Sequence, residues 1–173
     1  RGSHAYAQRL AGEPSTIAFE ATSAPQVAEV LKSRISSDFC VESLVLVGHG
    51  NAGVLRVGSP DAETHGPTRI GWGGHRVTPT AFGNSVAPVL CENHATIYLM
   101  TCKVLERIDF GQELARAAGA TVIGPDDQLF SSGGSPHVGT APLWIIAPDG
   151  TAQRGPPLPD DGVVADAPVP VNE

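Results

Sequence analysis

Two side chains that can exchange a proton each follow an apolar run of the sequence. Cys102 ends the apolar run 97–102, and His49 follows the apolar run 44–47 between two glycines, Gly48 and Gly50. If both runs are parallel β-strands, both side chains leave the same edge of the sheet, where ligand and catalytic groups gather. Thiolate is the reactive form of cysteine, and a neighbouring imidazole can share its proton. The pair is therefore a candidate nucleophile and base.

The elements around these two positions alternate between strand-like and helical patterns. Helices are predicted at 24–33, 79–92 and 108–118, with Gly119 ending the third, and the interval 58–78 is predicted as a long loop or a small hairpin. Strands are predicted at 15–20, 44–47, 54–57, 97–102, 121–124 and 143–147. This alternation, with right-handed crossovers, predicts an α/β domain with a mainly parallel sheet and helices on both faces.

The composition indicates one globular domain. The chain has 173 residues, of which 41% are hydrophobic and 17% charged, as is ordinary for such a domain. Residues 1–4 resemble the remnant of an expression tag. Residues 5–152 are predicted to form the domain, and 153–173, which are rich in Pro and Asp, are predicted to be an extended or disordered tail.

Charge and motif spacing exclude several classes of partner. With 18 acidic and 11 basic residues the net charge is −7, which opposes binding to a phosphate backbone, so no nucleic acid is expected. No apolar run approaches the roughly 20 residues that cross a bilayer. The histidines at 65, 75, 94 and 137 are scattered without metal-ligand spacing, so neither a metal nor another cofactor is expected.

The three cysteines are an odd number without the spacing of a metal site. Cys40 and Cys91 lie before or at the end of predicted elements and are assigned to packing. We therefore expect reduced thiols, as in a cytoplasmic protein or one delivered into a host cytosol. The compartment itself is left open.

Three other motifs fail in their context. The glycines of 48–53 match a dinucleotide-binding turn but lead into the strand-like 54–57 instead of a helix. A serine-hydrolase elbow would need its nucleophile where Gly50 stands. Cys102 and Arg107 are separated by four residues, whereas a resemblance to the tyrosine phosphatases would require five.

The two strand-end motifs resemble those of the caspase-like cysteine peptidases, the clan of caspases, legumains, separases and bacterial toxin autoproteases. These motifs are the strand followed by His-Gly at 44–50 and the strand followed by Cys at 97–102; His49 and Cys102 lie 53 positions apart, close to the roughly 50 of caspases. The resemblance covers about residues 15–146. It is nearest to bacterial toxin, effector or large-surface-protein domains, in which a Gly, a helix and a strand follow the cysteine. The caspase pentapeptide is absent, so caspase specificity is not carried over.

The resemblance implies a three-layer fold and a cysteine endopeptidase that forms an acyl-enzyme. Cys102 would attack the peptide carbonyl, His49 would protonate the leaving amine, and the N–H groups of Gly50 and Cys102 would hold the oxyanion. The substrate would be a polypeptide, either the protein's own chain or another protein. A catalytically silent binding or scaffolding module with the same fold is the alternative.

Three further residues are candidates for substrate recognition by the same resemblance. The position two before the nucleophile often lines the primary specificity pocket in these families, and here it is Met100, which favours an apolar or small substrate side chain. Asp126 and Asp127 follow the strand at 121–124. They would instead select arginine or lysine if their loop lies beside Cys102, although Pro-Asp-Asp is also ordinary turn sequence.

Overall fold

Two β-sheets and three α-helices make up the part of the chain that the computed structural model describes, residues 16–58, 66–127 and 143–156. In chain order the elements are α1 (Ala24–Arg34), β1 (Ser43–Val47), β2 (His49–Asn51), β3 (Val54–Arg56), β4 (Arg69–Gly71), α2 (Pro79–Val86), β5 (Thr96–Met100), α3 (Ile108–Ala118), β6 (Thr121–Pro125), β7 (Leu143–Ile146) and β8 (Ala152–Gly155). Short 3₁₀ turns follow α2 and β5, at Ala87–Val89 and Val104–Glu106. The predicted α/β class is confirmed.

The larger sheet has the strand order β1-β5-β6-β7-β8. Strands β1, β5 and β6 are parallel, and β7 runs antiparallel to both of its neighbours. Since β8 is antiparallel to β7, it runs in the same direction as β1, β5 and β6. All strands of this sheet except β7 share one direction, so the sheet is mostly parallel, as predicted. Strand β7 turns directly into β8 through a tight connection in which the Ala147 N–H donates to the Thr151 carbonyl at 2.8 Å. So short a connection permits only antiparallel pairing.

One face of this sheet forms the main core with the helices. The alternate residues Leu44 and Leu46 of β1 and Ile97 and Leu99 of β5 belong to one buried cluster, because every second side chain of a strand points to the same face. All three described helices contribute to the same cluster, with Leu31, Phe82, Phe110 and Leu114 among their buried residues. The finer three-layer arrangement stays a prediction.

Local sequence accounts for the helix ends. The Ser23 hydroxyl accepts a hydrogen bond from the Gln26 N–H at the start of α1, and Thr78 does the same for Ala81 at the start of α2, the usual N-cap arrangement. Helix α3 ends at Gly119, whose φ of 62° is left-handed, as predicted. The second predicted helix is too long, because Pro88 lacks an N–H and its ring disfavours a continuing α-helix.

Two strand boundaries also differ from the prediction. Residues 16–20 lie in no strand; β1 is the edge of the larger sheet as described, and no described strand pairs with its outer side. Residues 153–155, predicted to begin the tail, instead lie in β8, where Arg154 stacks 4.0 Å from the Trp144 ring and pairs with Asp126 at 2.6 Å. The predicted tag remnant and the rest of the predicted tail, beyond residue 156, lie outside the described residues.

The interval 58–78, predicted as a long loop or a small hairpin, contains strand β4, whose antiparallel partner β3 lies before the interval. Strand β4 pairs antiparallel with β3, and β3 with β2, in a separate three-stranded sheet. The predicted strand at 54–57 is β3. Residues 59–65 between β3 and β4, including His65, lie outside the described residues.

The prediction of reduced cysteines is wrong for two of the three. Cys40 and Cys91 form a disulfide, with Cα atoms 4.9 Å apart, and Cys102 is free. Val41 and Leu90 form a parallel β-bridge, which draws the two segments together at the amino end of the sheet. Because disulfides persist mainly in oxidising compartments, the expected cytoplasmic or host-cytosolic location is overturned as well. No described helix is long and apolar enough to cross a membrane.

Candidate active site

Strands β1 and β5 place His49 and Cys102 at equivalent positions beyond their last register pair. The two strands are adjacent and parallel, and the last pair in their register is Val47 with Met100. His49 and Cys102 each stand two residues beyond this pair. Both positions therefore lie at the same carboxyl edge of the larger sheet, where parallel sheets carry their ligand sites.

Glycines allow the chain to pass from β1 to β2 in close contact with the segment that carries Cys102. The Gly48 N–H donates to the Met100 carbonyl at 3.4 Å. A Cβ atom at Gly50 would overlap both the Thr101 hydroxyl and the Cys102 carbonyl oxygen, so only glycine fits this close approach. On the far side of β2, the Gly53 N–H donates to the Val104 carbonyl at 3.0 Å. The histidine segment is thus tied to the cysteine segment both before and after His49.

The backbone turns sharply immediately after Cys102. Lys103 has a φ of 55° in the left-handed region, which is uncommon for a residue with a side chain. Its N–H donates to the Asp127 carbonyl at 3.1 Å, and the 3₁₀ turn Val104–Glu106 follows. The thiol of Cys102 is left at the bend, free and half-buried.

The two candidate side chains differ in exposure. The imidazole of His49 is exposed, whereas Cys102 is half-buried. Within residues 16–58, 66–127 and 143–156, no hydrogen bond joins them. Catalytic hydrogen bonds are often long in ligand-free enzymes and shorten only when substrate binds.

Two buried polar atoms close to this edge lack a hydrogen-bond partner. One is the hydroxyl of Thr101, a residue with 0% exposure between Met100 and Cys102. The other is Nε of Arg56. In the β2–β3 register, the backbone of Arg56 lies opposite that of His49. Unsatisfied buried groups of this kind cost stability.

A cluster around Trp72 flanks the β2–β3 turn. The Arg107 guanidinium lies 4.8 Å from the centre of the Trp72 ring, and Trp72 Nε1 donates to the Glu113 carboxylate at 3.2 Å. Arg107 also pairs with Asp109, and this contact lowers the pKa of the Asp109 carboxyl. Sequence reasoning missed this cluster, because Trp72 and Glu113 are 41 positions apart and no local motif joins them.

The three predicted recognition residues have different surroundings. Met100 is buried, with 3% exposure. The Asp126 carboxylate accepts a hydrogen bond from Trp144 Nε1 at 3.2 Å and pairs with Arg154, so it helps to hold β8 against β7. Asp127 is exposed, and its carbonyl contact with Lys103 places it beside the cysteine segment. Of the two acids, Asp127 is therefore the one whose backbone contacts the segment that carries Cys102.

Comparison with known proteins identifies no family for this chain, so a function can be argued only from the residues described above. No family model, curated protein or solved structure matches the chain. Among the described residues, no group of three or more His, Cys, Asp or Glu side chains is arranged to hold a metal ion.

Proposed function

We propose that this protein is a cysteine endopeptidase whose catalytic residues are Cys102 and His49. The observation that carries the proposal is the register of β1 and β5, which sets both residues two positions beyond the pair Val47 and Met100. The contact of Gly50 with the Cys102 carbonyl oxygen supports it, because it keeps β2 against the nucleophile.

The reaction begins with transfer of the Cys102 thiol proton to His49. The thiolate attacks the carbonyl carbon of the peptide bond, and the N–H groups of Gly50 and Cys102 stabilise the resulting oxyanion. The C–N bond then breaks, and His49 returns its proton to the leaving amine. Water attacks the remaining thioester, His49 accepts a proton from that water, and the thiol and a carboxylic acid are released.

Cleavage of peptides by matched variants tests this function. Cys102→Ala and His49→Ala should each remove nearly all turnover, since general acid–base catalysis contributes roughly 100- to 10,000-fold. His94→Ala is the matched control, because His94 is also exposed but precedes β5 at the opposite edge of the sheet. Full activity in Cys102→Ala, or an equal loss in His94→Ala, would exclude the dyad.

A catalytically silent binding module is the second candidate. It is favoured by the side-chain alternation along β2: a Cβ atom at Gly50 would face the Cys102 segment, so the side chain of His49, one residue earlier, leaves the opposite face of the strand. The two functions are separated by incubating the protein with unfolded polypeptides and with its own full-length chain. Cleavage that is lost in Cys102→Ala supports the peptidase, whereas binding without cleavage supports the module.

A further inference from the structure

The outer face of the small sheet carries a row of basic side chains that begins at His49. His49 pairs with Arg56 across β2 and β3, and Arg56 pairs with Arg69 across β3 and β4. Residues directly opposite in neighbouring strands point to the same face. The alternate residues Leu55 and Ile70 are fully buried in the core, so the basic row faces away from the core.

The two arginines of this row have no charge partner in the described part of the chain. Arg56 is half-buried, and its Nε is buried without a hydrogen bond. Arg69 is exposed, and the ion pairs formed within the described ranges include neither arginine. The row is basic on a protein whose net charge is −7. A carboxylate suits this face, because it can accept two parallel hydrogen bonds from one guanidinium.

The row from His49 to Arg69 lies where the half of a substrate that follows the cleaved bond would pass. In the proposed reaction His49 protonates the leaving amine, so the half of the substrate that follows the cleaved bond must pass over His49. Strand β2 makes the contacts with the Cys102 segment, and β3 and β4 follow in order beyond it. At a strand spacing of roughly 5 Å, Arg56 lies about 5 Å and Arg69 about 10 Å beyond His49.

We infer that Arg56 and Arg69 bind an acidic side chain on the half of the substrate that follows the cleaved bond. This inference rests on the proposed peptidase function and names the substrate class. An extended peptide rises roughly 3.3 Å per residue, so the acid stands about two to three residues after the cleaved bond. The protein then selects polypeptides with Asp or Glu at those positions.

Matched peptides test the inference. The peptides share one sequence before the cleaved bond and carry Glu, Gln or Lys at the second or third residue after it. Their C-termini are amidated, and one Gln peptide keeps a free C-terminal carboxylate as a second source of the same charge. The wild-type protein should cleave the Glu peptide with a kcat/KM roughly tenfold above that of its Gln counterpart, as for a charge-assisted hydrogen bond. If the Gln peptide with a free C-terminal carboxylate is cleaved as fast as the amidated Glu peptide, the protein recognises a C-terminus and not an acidic side chain, which contradicts the inference.

Variants assign the effect to the row. Arg69→Gln changes an exposed residue and should reduce the preference for Glu without unfolding the protein; Arg56→Gln should abolish it, and Arg56→Lys should keep part of it. Arg34→Gln is the control, because Arg34 is an arginine at the end of α1. An ester or anilide substrate with no residues after the cleaved bond should be turned over equally by the wild-type and Arg34→Gln proteins, and in the other variants the ratio of the Glu rate to the Gln rate is the quantity compared.

The outcomes separate this inference from the function on which it rests. Equal cleavage of Glu and Gln peptides, with full turnover of the anilide, overturns the acidic preference and leaves the peptidase intact. If no peptide is cleaved, binding of the Glu and Gln peptides to the Cys102→Ser protein is measured by fluorescence anisotropy. A preference for Glu that Arg56→Gln removes supports the carboxylate site and rejects the peptidase; equal binding rejects both.

Discussion

The two ends of the β1–β5 pair each involve cysteine, but in opposite chemical states. At the amino end, Cys40 and Cys91 are joined in a disulfide beside the Val41–Leu90 bridge. At the carboxyl end, Cys102 is free and half-buried at a sharp turn, two residues beyond the last register pair. One end is joined covalently, and the other carries a free thiol on the segment that Gly50 of β2 contacts.

The difference shows that the carboxyl end accepts features that cost stability. Thr101 has a buried hydroxyl without a partner, and Lys103 has a left-handed backbone. Asn93 at the amino end is left-handed too, but asparagine adopts that conformation more readily than lysine does. Such features cluster at functional sites, where the surrounding structure holds them in place. The amino end, with its disulfide and paired backbone, provides part of the stability that offsets them.

The largest expected effect is loss of the disulfide. The bond closes a loop with a sequence separation of 51, so the double variant Cys40→Ala/Cys91→Ala should lose about 4 kcal/mol of unfolding free energy by the chain-entropy relation. Cys102→Ala should lose far less, because that thiol is free. Denaturant unfolding of both proteins measures the difference. Equal stability of the two variants would contradict the division between the ends.

Gly50→Ala is expected to have the next largest effect. The new methyl group would overlap the Thr101 hydroxyl and the Cys102 carbonyl oxygen, and overpacking of this kind costs about 1–3 kcal/mol. If the proposed peptidase function is correct, turnover should fall too, because the strain moves the backbone of Cys102. Adding Thr101→Ala should restore only part of the stability, since the carbonyl overlap remains. Denaturant unfolding of Gly50→Ala that coincides with the parent curve would show that β2 is not held against Cys102.

Thr101→Val should stabilise the protein. Valine has nearly the shape of threonine and removes a buried hydroxyl that has no partner, a group whose burial costs about 1–3 kcal/mol. We expect a gain of about 1 kcal/mol in thermal or denaturant unfolding. Thr96→Val, at the half-buried amino end of β5, is the contrasting variant, because the Thr96 hydroxyl forms a side-chain hydrogen bond with Tyr98. Its removal should destabilise the protein by about 0.5–1.5 kcal/mol. A destabilised Thr101→Val protein would show that the hydroxyl has a partner.

The smallest effect concerns the ion pair beside the carboxyl end. The contact with Arg107 lowers the pKa of Asp109 below its ordinary value of 3.8. Its stabilising contribution is therefore fully present above that ordinary value and is lost as the pH falls through the lowered one. An NMR titration should return the Asp109 pKa towards 3.8 in Arg107→Gln. If the Asp109 pKa is the same in Arg107→Gln as in the wild type, then Arg107 does not lower it.

Local patterns predicted the elements that carry the candidate site. The apolar runs before Gly48 and Cys102 were recognised as strands because parallel strands buried on both faces are continuously apolar, and Gly119 marked the end of α3. The end of α2 before Pro88 could also have been predicted, since the effect of proline is local.

The remaining features depend on pairing between distant segments. The Cys40–Cys91 bond follows from the bridge between Val41 and Leu90, and an odd cysteine count does not reveal which thiol stays free. The row from His49 to Arg69 depends on the register of three strands. A shift of one residue would turn those side chains to the other face, so composition alone could not have found it.

The most direct test of the central claim is the rate at which iodoacetamide alkylates Cys102 in the wild-type protein and in His49→Ala at neutral pH. If the imidazole shares the thiol proton, the wild-type rate should exceed that of His49→Ala by at least about tenfold, while His94→Ala reacts as the wild type does. Equal rates in the wild-type and His49→Ala proteins would show that His49 does not share the Cys102 proton and that the two residues are not a catalytic pair.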